Sequence, residues 1–412
     1  MNLTKPSREM LRNPLVLPFY FPALIMALTN GILLPVVPLY AKTFSTSYGM
    51  VGLMLAGAAI GALLADIPSG LLQRRLGSKN GMLVGLGCTI LFTLALSWAR
   101  SAGEVVVYQI ISGMGASLYG VSRHTYISKR IAPRTRGRVL SLCGGMMRIG
   151  RFVGPVVGGA IAATWGMRVV FIVVGILGFL APMAITVFMP STPIQRPAHT
   201  EARRQRHGSP ATALKGRLRL LAAAGLGQLL TQTIRSGRQV FVPLFAADVL
   251  ELDIQSVGLM ISIAAAIEMS MFYPAGLIMD RHGRKAAIIP SLLIQALGLA
   301  LMPFASGFAG LTIVASLAGL GNGLSSGAML TLGADLAPEE GRGTFLGMWR
   351  FIGDSGGTTG PIISGTVADL FIIQSAAWVI AAAGFLAAAT FAFLVPETLK
   401  THPGRRPFRP SA

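Results

Sequence analysis

Apolar residues run along this chain in blocks about as long as a bilayer is thick, parted by short polar connections. A membrane-spanning helix needs about 20 mostly apolar residues. Twelve blocks qualify: 15–40, 49–72, 81–99, 105–127, 139–162, 169–189, 218–246, 256–279, 286–303, 310–333, 344–368 and 375–395. The pattern predicts an all-α integral membrane protein with twelve transmembrane helices. The longest polar interruption, 190–217, carries Pro190, Pro193, Arg196, Arg203, Arg204, Arg206, Lys215 and Arg217 and cuts the chain almost in half. The expected organisation is a six-helix bundle over 1–190, a basic cytoplasmic linker over 191–216 and a second six-helix bundle over 217–412.

The two halves repeat. Val51-Gly52-Leu53-Met54 returns as Val257-Gly258-Leu259-Met260, 206 positions later. At the same spacing Pro68, Gly70, Gly77 and Lys79 return as Pro274, Gly276, Gly283 and Lys285. Arg136-Gly137 returns as Arg342-Gly343, Gly154-Pro155 as Gly360-Pro361, and Pro190 as Pro396. Parallel duplication of six helices is the design behind alternating access, in which one bundle rocks against the other around a site near the midplane.

Composition sharpens this. Hydrophobic residues make up 53% of the 412 and charged ones 12%, against roughly 25% charged in soluble domains; the mean hydropathy is +0.65. A water-soluble enzyme and a disordered chain are excluded. Lys+Arg number 35 and Asp+Glu 15, a net charge of +20. Such a balance otherwise suggests nucleic acid, but the hydropathy leaves no room for that partner. Basic residues mark cytoplasmic loops. With the N-terminus inside, nearly all of them fall on one side; only Lys42, Arg100 and Arg168 lie outside, and Arg148, Arg151, Arg235, Arg238 and Arg350 lie within spans. The expected setting is the cell's inner (plasma) membrane, crossed many times, with both termini cytoplasmic. Lys5, Arg8 and Arg12 precede an apolar block too long for a signal peptide, so it reads as a retained helix. Cys88 and Cys143 lack metal-ligand or disulfide spacing, and no metal or cofactor is expected.

Several motifs resemble those of a known family, the major facilitator superfamily, and within it the twelve-helix drug:proton antiporters. Gly70-x-Leu72-x-Arg74-Arg75-x-Gly77-x-Lys79 is similar to the signature between helices two and three, with Arg74 where the family has Asp. The second copy keeps the acid as Asp280, followed by Arg281, Gly283, Arg284 and Lys285. Leu28 to Pro38 resembles the first-helix motif, and Gly113-x-Gly115-Ala116 part of the fourth-helix motif, with Gln109 where the family has Arg. Gly150-x3-Gly154-Pro155-x2-Gly158-Gly159 resembles the fifth-helix antiporter motif, with Gly360-Pro361 in its second copy. Glycines at helical spacing let helix backbones approach, and a proline bends its helix. The resemblance covers essentially the whole chain. It implies two pseudo-symmetric bundles in the major facilitator fold, a monomer, and a cavity lined by helices one, four, seven and ten. It also implies contacts between helices five and eight and between helices two and eleven.

Charges inside the membrane carry the candidate chemistry, since each costs about 2.5–3.5 kcal/mol at a lipid-facing helix centre. Asp66, Glu268 and Asp354 are the candidate proton carriers. Counting 1.5 Å per residue puts Glu268 at about the depth of Arg148 and Arg151, and Asp66 at about that of Arg350. Each set is a candidate charge pair between the bundles, and Arg350 with Asp354 is also a plain i,i+4 pair. On helix seven, Gln228, Gln232, Arg235 and Gln239 fall on one face with Arg238 at its edge. A guanidinium there suits a carboxylate or phosphate; the alternative is an arginine bonded to backbone carbonyls. Tyr108 and Tyr119 on helix four, with Asn30 and Asn322, complete the candidate substrate contacts.

The reading that follows is a secondary-active transporter in the lipid bilayer, not an enzyme, driven by the proton gradient and exporting small amphipathic compounds. The alternative cargo is an anionic metabolite or lipid-like molecule held by Arg235 and Arg238. The string Gly353-Asp354-Ser355-Gly356-Gly357 matches a serine-protease nucleophile loop, but lacks the histidine base and barrel that this chemistry requires. A signalling receptor would need a larger extramembrane segment, and ATP-driven pumping a phosphate-binding loop; the sequence has neither.

Overall fold

The computed structural model describes residues 17–130, 133–189, 218–338 and 342–399. Among them are thirteen α-helices and no strand: α1 (Leu17–Lys42), α2 (Tyr48–Ala95), α3 (Ala102–Arg130), α4 (Pro133–Trp165), α5 (Met167–Phe188), α6 (Leu218–Asp248), α7 (Ile254–Ser270), α8 (Phe272–His282), α9 (Arg284–Leu301), α10 (Gly307–Leu324), α11 (Ala328–Leu336), α12 (Arg342–Leu370) and α13 (Ile373–Phe393). The expected linker 191–216 lies outside the described residues.

The helices follow the twelve apolar blocks, with three departures. The second and third blocks join as one 48-residue helix that reverses at Gly77, where φ is 78°. That left-handed conformation favours glycine. The eighth block breaks at Met271 into α7 and α8, because Pro274 cannot donate to the carbonyl one turn before it. The tenth breaks at Ser325–Gly327 into α10 and α11, with Gly327 at φ 81°. By length and apolar composition eight described stretches can cross a membrane, and Tyr48–Trp98 is long enough to do so twice. The remaining long helices, α4, α6 and α12, hold all five intramembrane arginines. Large apolar side chains line the outer surface, Ile67 at 78% exposure and Phe393 at 85% among them, as lipid-facing positions do.

Within the first half α1 packs on α4 and α5, and α2 on α3; within the second, α6 packs on α12 and α13, and α9 on α10 and α13. Helix α1 touches α6 and α7 across the halves, but the two main joining contacts are α4 with α7 and α2 with α12, the helix pairs that the resemblance implies. They are related by the sequence repeat. A Cβ on Gly52 would sit 2.4 Å from the Pro361 carbonyl oxygen, and one on Gly258 2.3 Å from that of Pro155. Gly365 and Gly159 complete the same two crossings. The helices that begin there are capped alike: Ser47 Oγ accepts from Met50 N, and Asp253 from Gln255 N and Ser256 N. Inside the first half, Gly150, Gly154 and Gly158 press α4 against Ala27, Gly31 and Ile32 of α1.

The two loop motifs also do equivalent work. Lys79 Nζ donates to the carbonyls of Thr186 and Met189 at the end of α5, and Lys285 Nζ to that of Ala392 at the end of α13, 2.7 Å away. Cations at helix C-termini satisfy exposed carbonyls and the helix dipole. The second copy adds acids. Arg284 Nε donates to Asp335 at 2.9 Å, with Asp280 at 4.0 Å from its Nη1. Glu397 accepts from the backbone N–H groups of Arg284, Lys285, Thr398 and Leu399, each at 2.9 Å. Arg74, Lys129 and Ser191 occupy the positions equivalent to Asp280, Asp335 and Glu397, so the first copy has no acids there.

Two outcomes follow from this packing. Gly154→Ala places its Cβ about 2.4 Å from the Gly31 backbone and lowers stability by roughly 1–3 kcal/mol. Gly87→Ala meets open space and is neutral or stabilising by up to about 1 kcal/mol. Thermal unfolding of the purified variants measures both. Burial pushes the Glu397 pKa up, but its backbone donors outweigh that and hold it below the ordinary carboxylate value. A depressed folded pKa gives stability that is present above about pH 4.5 and lost as pH falls through the folded value. Glu397→Gln therefore starts with a lower melting temperature at neutral pH and loses less of it on acidification than the wild type.

Candidate functional site

A cavity opens between the halves, bounded by Leu34 of α1, Arg151 of α4, Arg238, Gln239, Val242 and Pro243 of α6, Ile261 to Glu268 of α7 and Ala315 of α10. Its empty space, open mouth included, is about 600 Å³. Most of the wall is apolar; the polar groups gather around Glu268.

Glu268 stands in the last turn of α7, just before the break. Arg238 Nη2 lies 3.2 Å from its Oε2, Arg151 Nη1 3.8 Å from its Oε1, and Asn322 Nδ2 donates to Oε1 at 2.7 Å. The contact therefore spans both halves: Arg151 comes from the first, Arg238 and Asn322 from the second. Arg148, the other partner suggested by depth, turns away. Its guanidinium lies 3.7 Å over the Phe272 ring and donates to Ser326 Oγ. Arg235 Nη2 donates to Ser325 Oγ at 2.7 Å and Nη1 to Gln232 Oε1 at 3.1 Å.

The second charge cluster lies at the α2–α12 crossing. Arg350 Nη2 is 3.6 Å from Asp66 Oδ1, and its Nε 3.3 Å from Asp354 Oδ2. Ser117 Oγ of α3 donates to Asp66 at 2.6 Å. One arginine thus serves an acid of each half, so the inter-bundle pair and the i,i+4 pair coexist.

Other candidates lie apart. Gln239 is exposed on the cavity wall. Gln228 is buried against α12, beside Gly353. Tyr119 is buried below the Arg123 guanidinium, 5.3 Å from its ring, and Tyr108 lies against Phe92 with ring centres 6.0 Å apart. Asn30 is exposed on α1 and donates to the Met26 carbonyl at 2.6 Å.

The sequence reading missed a seal at the Lys42 end. Asp369, at the end of α12, accepts from Ser47 Oγ and from the Tyr48 and Gly49 N–H groups at 2.6–2.7 Å, capping the start of α2 in the other half. Asp248, at the end of α6, pairs with Lys42 at 3.0 Å and accepts from the Tyr48 hydroxyl at 2.8 Å. With so few acids in the chain, two standing just beyond span ends are the signal that could have pointed there. Asp369→Asn keeps the size but removes the charge that gathers these donors. We expect the seal to open more often in that variant. A cysteine at Gln239 would then react faster with an impermeant thiol reagent added from the Lys42 side, relative to the same cysteine beside intact Asp369.

Comparison with known proteins fits this architecture. The sequence profile of the Major Facilitator Superfamily matches residues 19–272 and 224–411. A multidrug resistance protein, MdtH of Aeromonas hydrophila, is 24% identical over 364 residues, covering 86% of this chain and 88% of its own. An uncharacterized MFS-type transporter of Methanocaldococcus jannaschii is 25% identical over 349 residues, covering 84% and 89%. Among solved structures, an inward-facing, occupied bacterial homologue of the human lysosomal transporter Spinster aligns over 95% of this chain and 97% of its own, with a TM-score of 0.76 at 16% identity. A mutant of the nucleoside transporter NupG aligns over 92% and 99%, with a TM-score of 0.75 at 15% identity. These two show the fold. The duplicated bundles, the glycine crossings and the profile match together make this chain a membrane transporter, not an enzyme, and it belongs to the Major Facilitator Superfamily.

Proposed function

We propose that this protein is a proton-coupled secondary transporter that exports small amphipathic compounds from the cell by alternating access. It works as a monomer in the plasma membrane with both termini in the cytoplasm, which makes the sealed Lys42 end the external one. The observation that carries the reading is Glu268: a carboxylate on the cavity wall, tied to Arg151 of one half and Arg238 of the other. When the halves rock apart on that side, the Arg151 contact separates. Glu268 keeps Arg238 but loses one of its two guanidinium partners, which weakens the hold on its charge at membrane depth and favours proton uptake. Protonation then weakens the tie between the halves, so proton binding and the access change are linked. Asp66 and Asp354, sharing Arg350 across the other crossing, form the second proton-linked locus. The apolar walls suit an amphipathic cargo, and the multidrug resistance relatives support the outward direction.

The test is transport into proteoliposomes under an imposed pH gradient. Glu268→Gln is expected to abolish acceleration by the gradient while leaving the protein folded and monodisperse, and Asp66→Asn to reduce it. If both variants, singly and together, keep gradient-driven transport at the wild-type rate, the coupling assignment fails.

A further inference from the structure

Arg151 and Arg238 line this cavity, and two more guanidinium groups, Arg148 and Arg235, stand three residues before them on α4 and α6. Glu268 occupies Arg238 and Arg151. The other two, Arg148 and Arg235, reach no acid among the described residues. Their hydrogen-bonding partners are neutral: Ser326 Oγ for Arg148, and Ser325 Oγ and Gln232 Oε1 for Arg235. Arg235 Nε is buried with no hydrogen-bond partner. Charges at this depth are normally paired, and two cations converging on adjacent serines present the donors that an anion would take.

The backbone at this point has the same polarity. Ser325 and Ser326 lie in the break between α10 and α11. Helix α11 starts after Gly327, which is exposed and offers no side-chain cap. Irregular backbone at membrane depth persists where it is buried in protein or lines a water-filled cavity, and the positive dipole end of a half-helix favours negative charge. The Gly327 end of α11 lies about 13 Å from its far end at 1.5 Å per residue, well inside the hydrocarbon depth.

We propose that Arg148 and Arg235, meeting at Ser325–Ser326 in the break between α10 and α11, form the seat for the oxyanion head of the transported amphiphile. This rests on the transporter reading of the cavity and adds the charge class of its cargo: a carboxylate or phosphate ester on an apolar body. The head is held from both halves, by Arg148 on α4 and Arg235 on α6, with serine hydroxyls as further donors. Asn322, one turn before Ser325, reaches Glu268 on the cavity wall, so the seat adjoins the apolar surface of Leu34, Val242 and Ile261 that takes the body. An amphipathic cation would meet the surplus guanidinium charge, with Glu268 already engaged by three donors.

Equilibrium binding to the purified full chain in nanodiscs tests this with a shape-matched set: 1-naphthoate, 1-naphthylmethanol and 1-naphthylmethylammonium. Naphthoate is expected to bind at least about tenfold more tightly than the other two, a difference of one charge-assisted contact. Arg235→Gln and Arg148→Gln should each remove that preference, bringing the affinity for naphthoate down to that for the neutral probe. Gel filtration and helical circular dichroism confirm folding, and Ser326→Ala gives a smaller loss should either arginine variant not fold. Equal affinities for the three probes, tighter binding of the ammonium, no measurable binding of naphthoate, or variants that keep the preference for the anion would each overturn the proposal. Binding at equilibrium needs no gradient. A failed proton-coupling test therefore leaves this result standing, and a failure here leaves the coupling test untouched.

Discussion

A charge placed at the depth of a bilayer must find a partner inside the protein, and the architecture of this transporter answers to that requirement. Lipid offers neither water nor counter-ions, so each intramembrane arginine and acid faces another helix. The helices that carry the arginines, α4, α6 and α12, all take part in holding the halves together or lining the space between them. Ion pairs here tie one half to the other. Arg151–Glu268 and Asp66–Arg350 each have one member in either half, so relative movement of the halves cannot leave them unchanged.

Close backbone approach is the other side of that requirement. Helices in lipid gain little from hydrophobic burial and rely on packing, which small residues permit. The repeat places the same device twice, Gly52 on Pro361 and Gly365, and Gly258 on Pro155 and Gly159. The matched crossings join the halves in the same way on both sides. The loop motifs show where the symmetry stops: both lysines hold the end of the last helix of their half, but the acids around Arg284 have basic or neutral counterparts in the first half. Among the described residues, the acids of this clasp belong to the second half.

Much of this was legible in the residues. Apolar blocks of bilayer length located the helices, and the 206-residue offset disclosed the duplication. Depth arithmetic brought Glu268 to Arg151 and Asp66 to Arg350 because a helix rises by a fixed amount per residue. The same arithmetic had no way to choose between Arg148 and Arg151. They differ by less than one helical turn in height, and the rotation of α4 about its axis directs one to Glu268 and the other to Ser326. The tyrosines of α3 were misleading for a related reason: helical spacing shows that residues share a face, not what that face meets. Tyr119 and Tyr108 meet Arg123 and Phe92 rather than the cavity.

The sequence by itself determined class and repeat, since hydrophobic length and identity at a fixed offset are properties of one dimension. It also marked the intramembrane charges, because a charged residue in an apolar block is visible without coordinates. Only the tertiary structure decided how those charges are shared. Whether Arg238 answers Glu268 or waits for a ligand depends on distances between helices far apart in the chain. So does the seal that Asp369 and Asp248 form on Tyr48, and so does the convergence of Arg148 and Arg235 on one break in a helix. Electrostatic pairing acts over a few ångströms, and in this fold the groups that come so close belong to separate helices whose packing, not their order, sets the distance.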